Sequence, residues 1–182
     1  MGDEYQLGVV GLPDDVCLPR DGKTVILSER QAGLTTLLGA IRVAWKEDIV
    51  IGTAHRFHYE EANGVSRWER SSNGTWDSIV RALHGVDVGM VVLDRVPFEV
   101  ITRINDGTNH DITWVLGVSG VNRNVVFRGE NVFNLYVEEG HRCLRTKEGQ
   151  VFHLRLESLR LNACLAPPPT DRTCYDMLDD DL

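Results

Sequence analysis

The chain has 182 residues, 42% of them hydrophobic and 25% charged, and a formal net charge of −8. That length and composition suit a soluble globular domain with a real core. The acidic balance argues against nucleic acid as a partner, since phosphate binding relies on clustered Lys and Arg. No apolar run approaches the roughly 18 residues of a membrane span.

Residues 1 to 22 are rich in Gly, Pro and Asp and read as a surface segment, and Met1 to Gln6 is too acidic for a secretory signal. A cytoplasmic protein with free thiols is therefore expected, its four cysteines being scattered without a C-x-x-C pair. Lys23 to Leu27 reads as a strand. Leu34, Leu37, Leu38, Ile41 and Trp45 then recur at helical spacing behind Ser28 as an N-cap. Ile41 to Trp45 also alternates as a strand would, so the expectation is a short helix or turn followed by a strand.

Asp48 to Ala54 is the next strand and delivers His55 at its end. Asn63-Gly64 and Asn73-Gly74 mark turns around a strand near Val65 to Glu69. Trp76 to Leu83 reads as one or two helical turns, and His84 to Leu93 as an apolar strand opened by Asp87. Strands are expected near Glu99–Ile104, Ile112–Val118, Val125–Phe127, Val132–Val137, Cys143–Leu144 and Val151–Leu156, with Glu148-Gly149 closing a hairpin. The fold class is thus mainly β, a barrel or sandwich with one or two short helices, in a single domain over residues 1–166. Residues 167–182 form a Pro-led acidic tail in which Tyr175 and Leu178 are candidate anchors for a protein partner.

A serine or cysteine peptidase needs a nucleophile, a base, and a carboxylate that orients the base. Thr53-Ala54-His55 at a strand end, followed 32 residues later by Asp87, resembles the first half of the small chymotrypsin-like proteases of viral type. The resemblance implies a double barrel, with His55 as base and Asp87 as its orienter. Ser119, in Gly117-Val118-Ser119-Gly120, has the glycine frame of an oxyanion turn. Cys143 is the alternative nucleophile, better placed along the chain but lacking that frame. The Ser119 segment also resembles the autoproteolytic leader proteases of potyviruses, for which His84 and Asp94 would be the partners.

Neither nucleophile satisfies both position and frame. The leading expectation is therefore a non-enzymatic interaction or structural protein on a β-rich, protease-like domain. It would bind partners through β surfaces and the tail, in a host cytoplasm or virion if viral. The alternative is a peptidase acting on a polypeptide substrate. No metal or cofactor is expected: His55 with His58, or His141 with Cys143, makes no compact four-ligand set. No Gly-x-Gly-x-x-Gly or Walker-type loop is evident.

Overall fold

Apolar residues run almost unbroken through Val25-Ile26-Leu27, Met90-Val91-Val92-Leu93 and Trp114-Val115-Leu116, and every one of these side chains is buried. Strands that are apolar on both faces belong in the middle of a sheet covered on both sides. The computed structural model describes residues 4–6, 17–19, 22–45, 47–62, 66–104, 112–128 and 131–154. Among these, β1 (Glu4–Gln6) and β2 (Cys17–Pro19) form a small antiparallel pair of their own.

The remaining elements follow in chain order as β3 (Lys23–Ser28), α1 (Leu34–Ala44), β4 (Ile49–Thr53), β5 (Arg56–Glu60), β6 (Ser66–Ser71), α2 (Trp76–Leu83), β7 (Met90–Asp94), α3 (Phe98–Arg103), β8 (Thr113–Ser119), β9 (Asn131–Glu138), β10 (His141–Arg145) and β11 (Val151–Leu154). They build one nine-stranded sheet in the order β11-β10-β9-β3-β8-β7-β4-β5-β6. The five central strands β9, β3, β8, β7 and β4 are parallel, while β5 and β6 on one side and β10 and β11 on the other are antiparallel hairpin additions.

The fold is mainly β, as expected, but the sheet is not closed into a barrel. Its two faces are covered instead by helices. Ile26, Met90, Val92 and Val115 face α1, where they meet Leu34, Leu37, Leu38 and Ile41. Val25, Leu27, Val91, Leu93, Trp114 and Leu116 face the other way, onto Ile79 and Leu83 of α2 and Val100 and Ile101 of α3. Burial of each such side chain contributes about 1.5–3 kcal/mol.

Three local expectations are corrected. Leu34 to Ala44 is helical throughout, because one stripe of it fills the groove over the sheet. Glu99 to Ile104 is mostly helix rather than strand: the amides of Val100 and Ile101 bond back to the Pro97 carbonyl at 3.0 and 3.4 Å, starting a turn that buries both side chains. Val125 to Phe127 is an irregular connection with Val126 89% exposed.

The connections define where a crevice forms. β3 leads through α1 across β8 and β7 to β4, whereas β8 leads back across β3 to β9. Chains leaving adjacent strands in opposite directions part at the carboxyl ends of β3 and β8, where open sheets of this kind hold ligands. Right-handed crossovers put α1 on one face and α2 and α3 on the other for the same reason.

Candidate functional site

β3 ends at Ser28, which is fully buried, and the chain turns through residues 29–33 into α1. Gln31 and Gly33 take left-handed backbone, φ 58° and 94°, and Gly33 caps the helix through its carbonyl, bonded by the Leu37 amide at 3.0 Å. A glycine suits that position because a β-carbon is disfavoured at positive φ. The first turn of α1 has no side-chain cap and no acidic residue, so its amides present a local positive pole.

Thr35 lies in this first turn and donates its hydroxyl to Asp94 Oδ2 at 2.8 Å. Asp94 is the last residue of β7, only 8% exposed, and its Oδ1 also accepts from the Arg95 amide at 2.8 Å. A pocket of about 50 Å³ lies beside this pair, with Leu38, Ile51 and Val92 as apolar walls and Thr35, Thr53, Asp94, Arg42 and Arg95 as polar ones.

The arrangement of strand, loop, helix, hydroxyl and strand-end carboxylate follows the spacing of a phosphate-binding loop, Gly-x4-Gly-Lys-Ser/Thr. Here the corresponding residues are Ser28, Gly33, Leu34 and Thr35. In such loops the hydroxyl and a carboxylate at the end of a neighbouring apolar strand hold Mg²⁺, and the lysine reaches the outer phosphates. Thr35 and Asp94 have the hard oxygen donors that Mg²⁺ prefers. Leu34 does not fit the lysine's role. It is 5% exposed, and its methyls would lie 3.0 and 3.1 Å from a β-carbon placed on Gly117 of β8. It is a core residue.

A second feature covers the crevice. Arg123, in the connection from β8 to β9, bonds Glu29 in a bidentate pair, Nε to Oε1 at 2.8 Å and Nη2 to Oε2 at 3.2 Å. It also donates to the Val137 carbonyl at 2.8 Å and to Glu138 Oε1 at 3.2 Å, and lies over the Tyr136 ring at 4.6 Å. The Arg123 hydrogen bonds hold the Glu29 carboxyl below the usual range, against the smaller effect of burial. Beneath α1, the buried Glu60 of β5 accepts from Arg42 and meets His58 Nε2 at 2.9 Å. Burial pushes its carboxyl up, but the bonds from His58 and Arg42 outweigh that and hold it below the usual range.

The residues singled out from sequence are dispersed. His55 sits in the exposed turn after β4, its ring against Gly74, where an added β-carbon would come within 2.8 Å of Nδ1. Asp87 precedes β7 and is exposed at the opposite end of the sheet. Because Thr53 pairs with Asp94 and Ile49 with Met90, at least one strand length separates His55 from Asp87, roughly 15 Å. Ser119 ends β8 on the same edge as His55 but two strands away from β4, and it is exposed.

His84 lies at the end of α2, away from Asp94. Cys143 is a free thiol buried in β10, 3.7 Å from His153 Nδ1, with its pKa raised chiefly by burial. Four strands stand between β10 and β4. The structure therefore does not bring His55, Asp87 and either nucleophile together. Tyr175 and Leu178 lie outside the described residues.

Among the described residues, no group of three or more His, Cys, Asp or Glu side chains could hold a metal by itself. No helix there is long and apolar enough to cross a membrane. The pair Thr35 and Asp94 was missed as such by sequence reasoning. The available signal was Ser28-x4-Gly33-x-Thr35 after one apolar strand, with a second apolar strand ending in Asp94. No protein-family model matches the chain, and no curated protein matches it.

Proposed function

We infer that this chain is a non-enzymatic interaction module built on a phosphate-loop type of open sheet, working as a binding scaffold. The observation that carries this reading is Leu34, buried against Gly117 at the position from which a lysine would reach a phosphate. Phosphoryl transfer depends on positioning and on cations that meet developing charge. Here the lysine's position holds an apolar side chain, Glu29 places a carboxylate in the loop, and the cations nearby are arginines, Arg30 in the loop and Arg42 and Arg95 in the pocket wall. Among the described residues, Asp94 is the only carboxylate lining the pocket. With Thr35 already bonded to it, no second acid stands there to orient a water.

The test is release of inorganic phosphate from Mg–ATP and Mg–GTP by the full chain and by Asp94→Asn. Equal, background-level release from both is expected. Turnover that disappears in Asp94→Asn overturns the reading. Labelling of Ser119 by a fluorophosphonate, or of Cys143 by a thiol electrophile, that is lost in His55→Ala would instead establish a peptidase.

A second reading has one observation in its favour, the intact bond from Thr35 to Asp94 at the uncapped start of α1. The module would then hold a Mg–nucleotide as a static ligand. Calorimetric binding of Mg–ATP that Asp94→Asn weakens, without phosphate release, separates this from the apolar-scaffold reading.

A further inference from the structure

A groove enclosing about 400 Å³ lies between the end of β6 and the side of α2, away from the Thr35 and Asp94 pair. β6 is the edge strand of the sheet, so the groove opens at its rim. Its walls are polar: Arg70, Ser71, Ser72 and Asn73 come from β6 and the following turn, and Ser78 and Arg81 from α2. Two cations on opposite walls with hydroxyl and amide groups between them make a site for an anion with several acceptor oxygens.

The two arginines are prepared differently. Arg70 shares a strand face with Trp68, and its guanidinium lies over that indole at 4.9 Å while one Nη donates to the Ala82 carbonyl near the end of α2. Stacking and this bond fix the guanidinium plane, so little side-chain entropy remains to be lost when its other N–H groups engage a ligand. Arg81 is exposed, and its side chain carries no hydrogen bond or ion pair among the described residues. Asp77, one turn earlier on α2, is the nearest acid on its helix, and Glu69 is drawn to Arg56 on the opposite face of β6.

The serines are largely committed within the protein and so hold the floor of the groove in shape. Ser78 Oγ accepts from the Asn73 amide at 3.1 Å and from Thr75 Oγ1 at 2.9 Å, and Ser72 Oγ accepts from the Gly74 amide at 3.0 Å. The groups left to a ligand are the guanidiniums of Arg70 and Arg81 and the Asn73 side chain. A planar fork on each side matches the geometry of a phosphate better than that of a single carboxylate.

We propose that the groove between β6 and α2 is a binding site for a phosphate monoester, with Arg70 as the fixed anchor and Arg81 as the arm that closes on it. The chain's net charge of −8 makes a long polyanion a poor ligand while leaving a single phosphate group a good one.

The experiment is an NMR titration of the full chain with inorganic phosphate at low salt, repeated with Arg81→Gln and with Lys147→Gln at the far edge of the sheet. Arg81 is exposed, so its variant keeps the fold. Shifts concentrated at residues 70–82, with affinity about tenfold weaker in Arg81→Gln and unchanged in Lys147→Gln, are expected. Shifts spread over the surface, or equal affinity in all three proteins, overturn the site.

A phosphoserine peptide and AMP, each added in place of inorganic phosphate, identify the source of the group. Tighter binding of the peptide points to a modified protein, and tighter binding of AMP to a nucleotide. An unphosphorylated peptide that binds as well as its phosphorylated twin removes the phosphate claim. Each affinity is read from the shifts at residues 70–82, not from those at Thr35 or Asp94, so no outcome depends on the Thr35 and Asp94 site.

Discussion

Leu34 as a core residue rather than a displaced ligand contact makes a quantitative prediction about Gly117. A β-carbon on Gly117 would stand 3.0 and 3.1 Å from the two Leu34 methyls and 3.1 Å from a Leu38 methyl. These separations are about 0.5–1 Å inside the optimum for carbon contacts. Gly117 does not have positive φ, so Gly117→Ala gains a few tenths to about 1 kcal/mol from the stiffer unfolded chain. Overpacking costs about 1–3 kcal/mol, and the net expectation is a loss of about 0.5–2 kcal/mol.

Leu34→Ala alone should cost about 3–5 kcal/mol, from lost burial and the cavity left behind. In the double variant the Gly117 methyl enters that cavity, so Gly117→Ala becomes neutral or stabilising in the Leu34→Ala background. The coupling should therefore reach about 1–3 kcal/mol, measured as a double-mutant cycle by equilibrium urea denaturation. Thermal midpoints should move by about 2–4 °C per kcal/mol for a chain of this size. Additivity within about 0.5 kcal/mol would show that Leu34 does not press on Gly117, and would remove the argument that its side chain is committed to the core.

Acid should destabilise the fold partly through Glu60. Its folded pKa lies below the ordinary 4.5, so its contribution is complete above that value and is lost as pH falls through the lower folded value. Glu60→Gln should flatten the acid limb of a plot of urea midpoint against pH, and an unchanged limb would place the acid sensitivity elsewhere. Gly52 of β4 should tolerate no side chain: its φ is 153° and a β-carbon would fall 2.6 Å from the Phe57 Cα, which is backbone and cannot rotate away. Gly52→Ala should cost about 3 kcal/mol or more, read as a lower thermal midpoint by circular dichroism, and a change below about 1 kcal/mol would contradict the tight hairpin there.

The elements with strong local patterns were legible. The run at Lys23–Leu27, the helical spacing of Leu34, Leu37, Leu38 and Ile41, and the hairpin turn at Glu148-Gly149 all have causes within a few residues of themselves. Pairing of strands across the chain has none. β3 lies between β8 and β9, which come about 90 and 110 residues later, so an open parallel sheet could not be separated from a barrel by inspecting each strand. β5 was hidden for another reason. His58 and Glu60 look like solvent-facing residues, yet both are buried, with Glu60 bonded to Arg42 of α1 and to His58. The spacing of His55 and Asp87 said nothing about which end of the sheet each occupies. Thr35 and Asp94 are 59 residues apart, and a leucine in place of the lysine hid the loop they belong to.

That leucine and the Glu29–Arg123 pair point the same way. A phosphate-binding loop ordinarily presents amides and a lysine to its ligand, and the ligand supplies the negative charge. In this chain the negative charge near the loop is Glu29, and the cation that meets it is Arg123 from the β8–β9 connection. An isolated exposed ion pair contributes little, up to about 1 kcal/mol. This one is bidentate, stacked on Tyr136 and tied to the Val137 carbonyl, and the Arg123 carbonyl in turn accepts from Arg145 of β10. Its members come from the β3–α1 loop, the β8–β9 connection, β9 and β10, so it ties together the two chain paths that diverge at the crevice. Protein groups alone then hold the loop in shape, as the proposed scaffold would require, whereas a loop that must open and close around a phosphate at each turnover would work against those bonds.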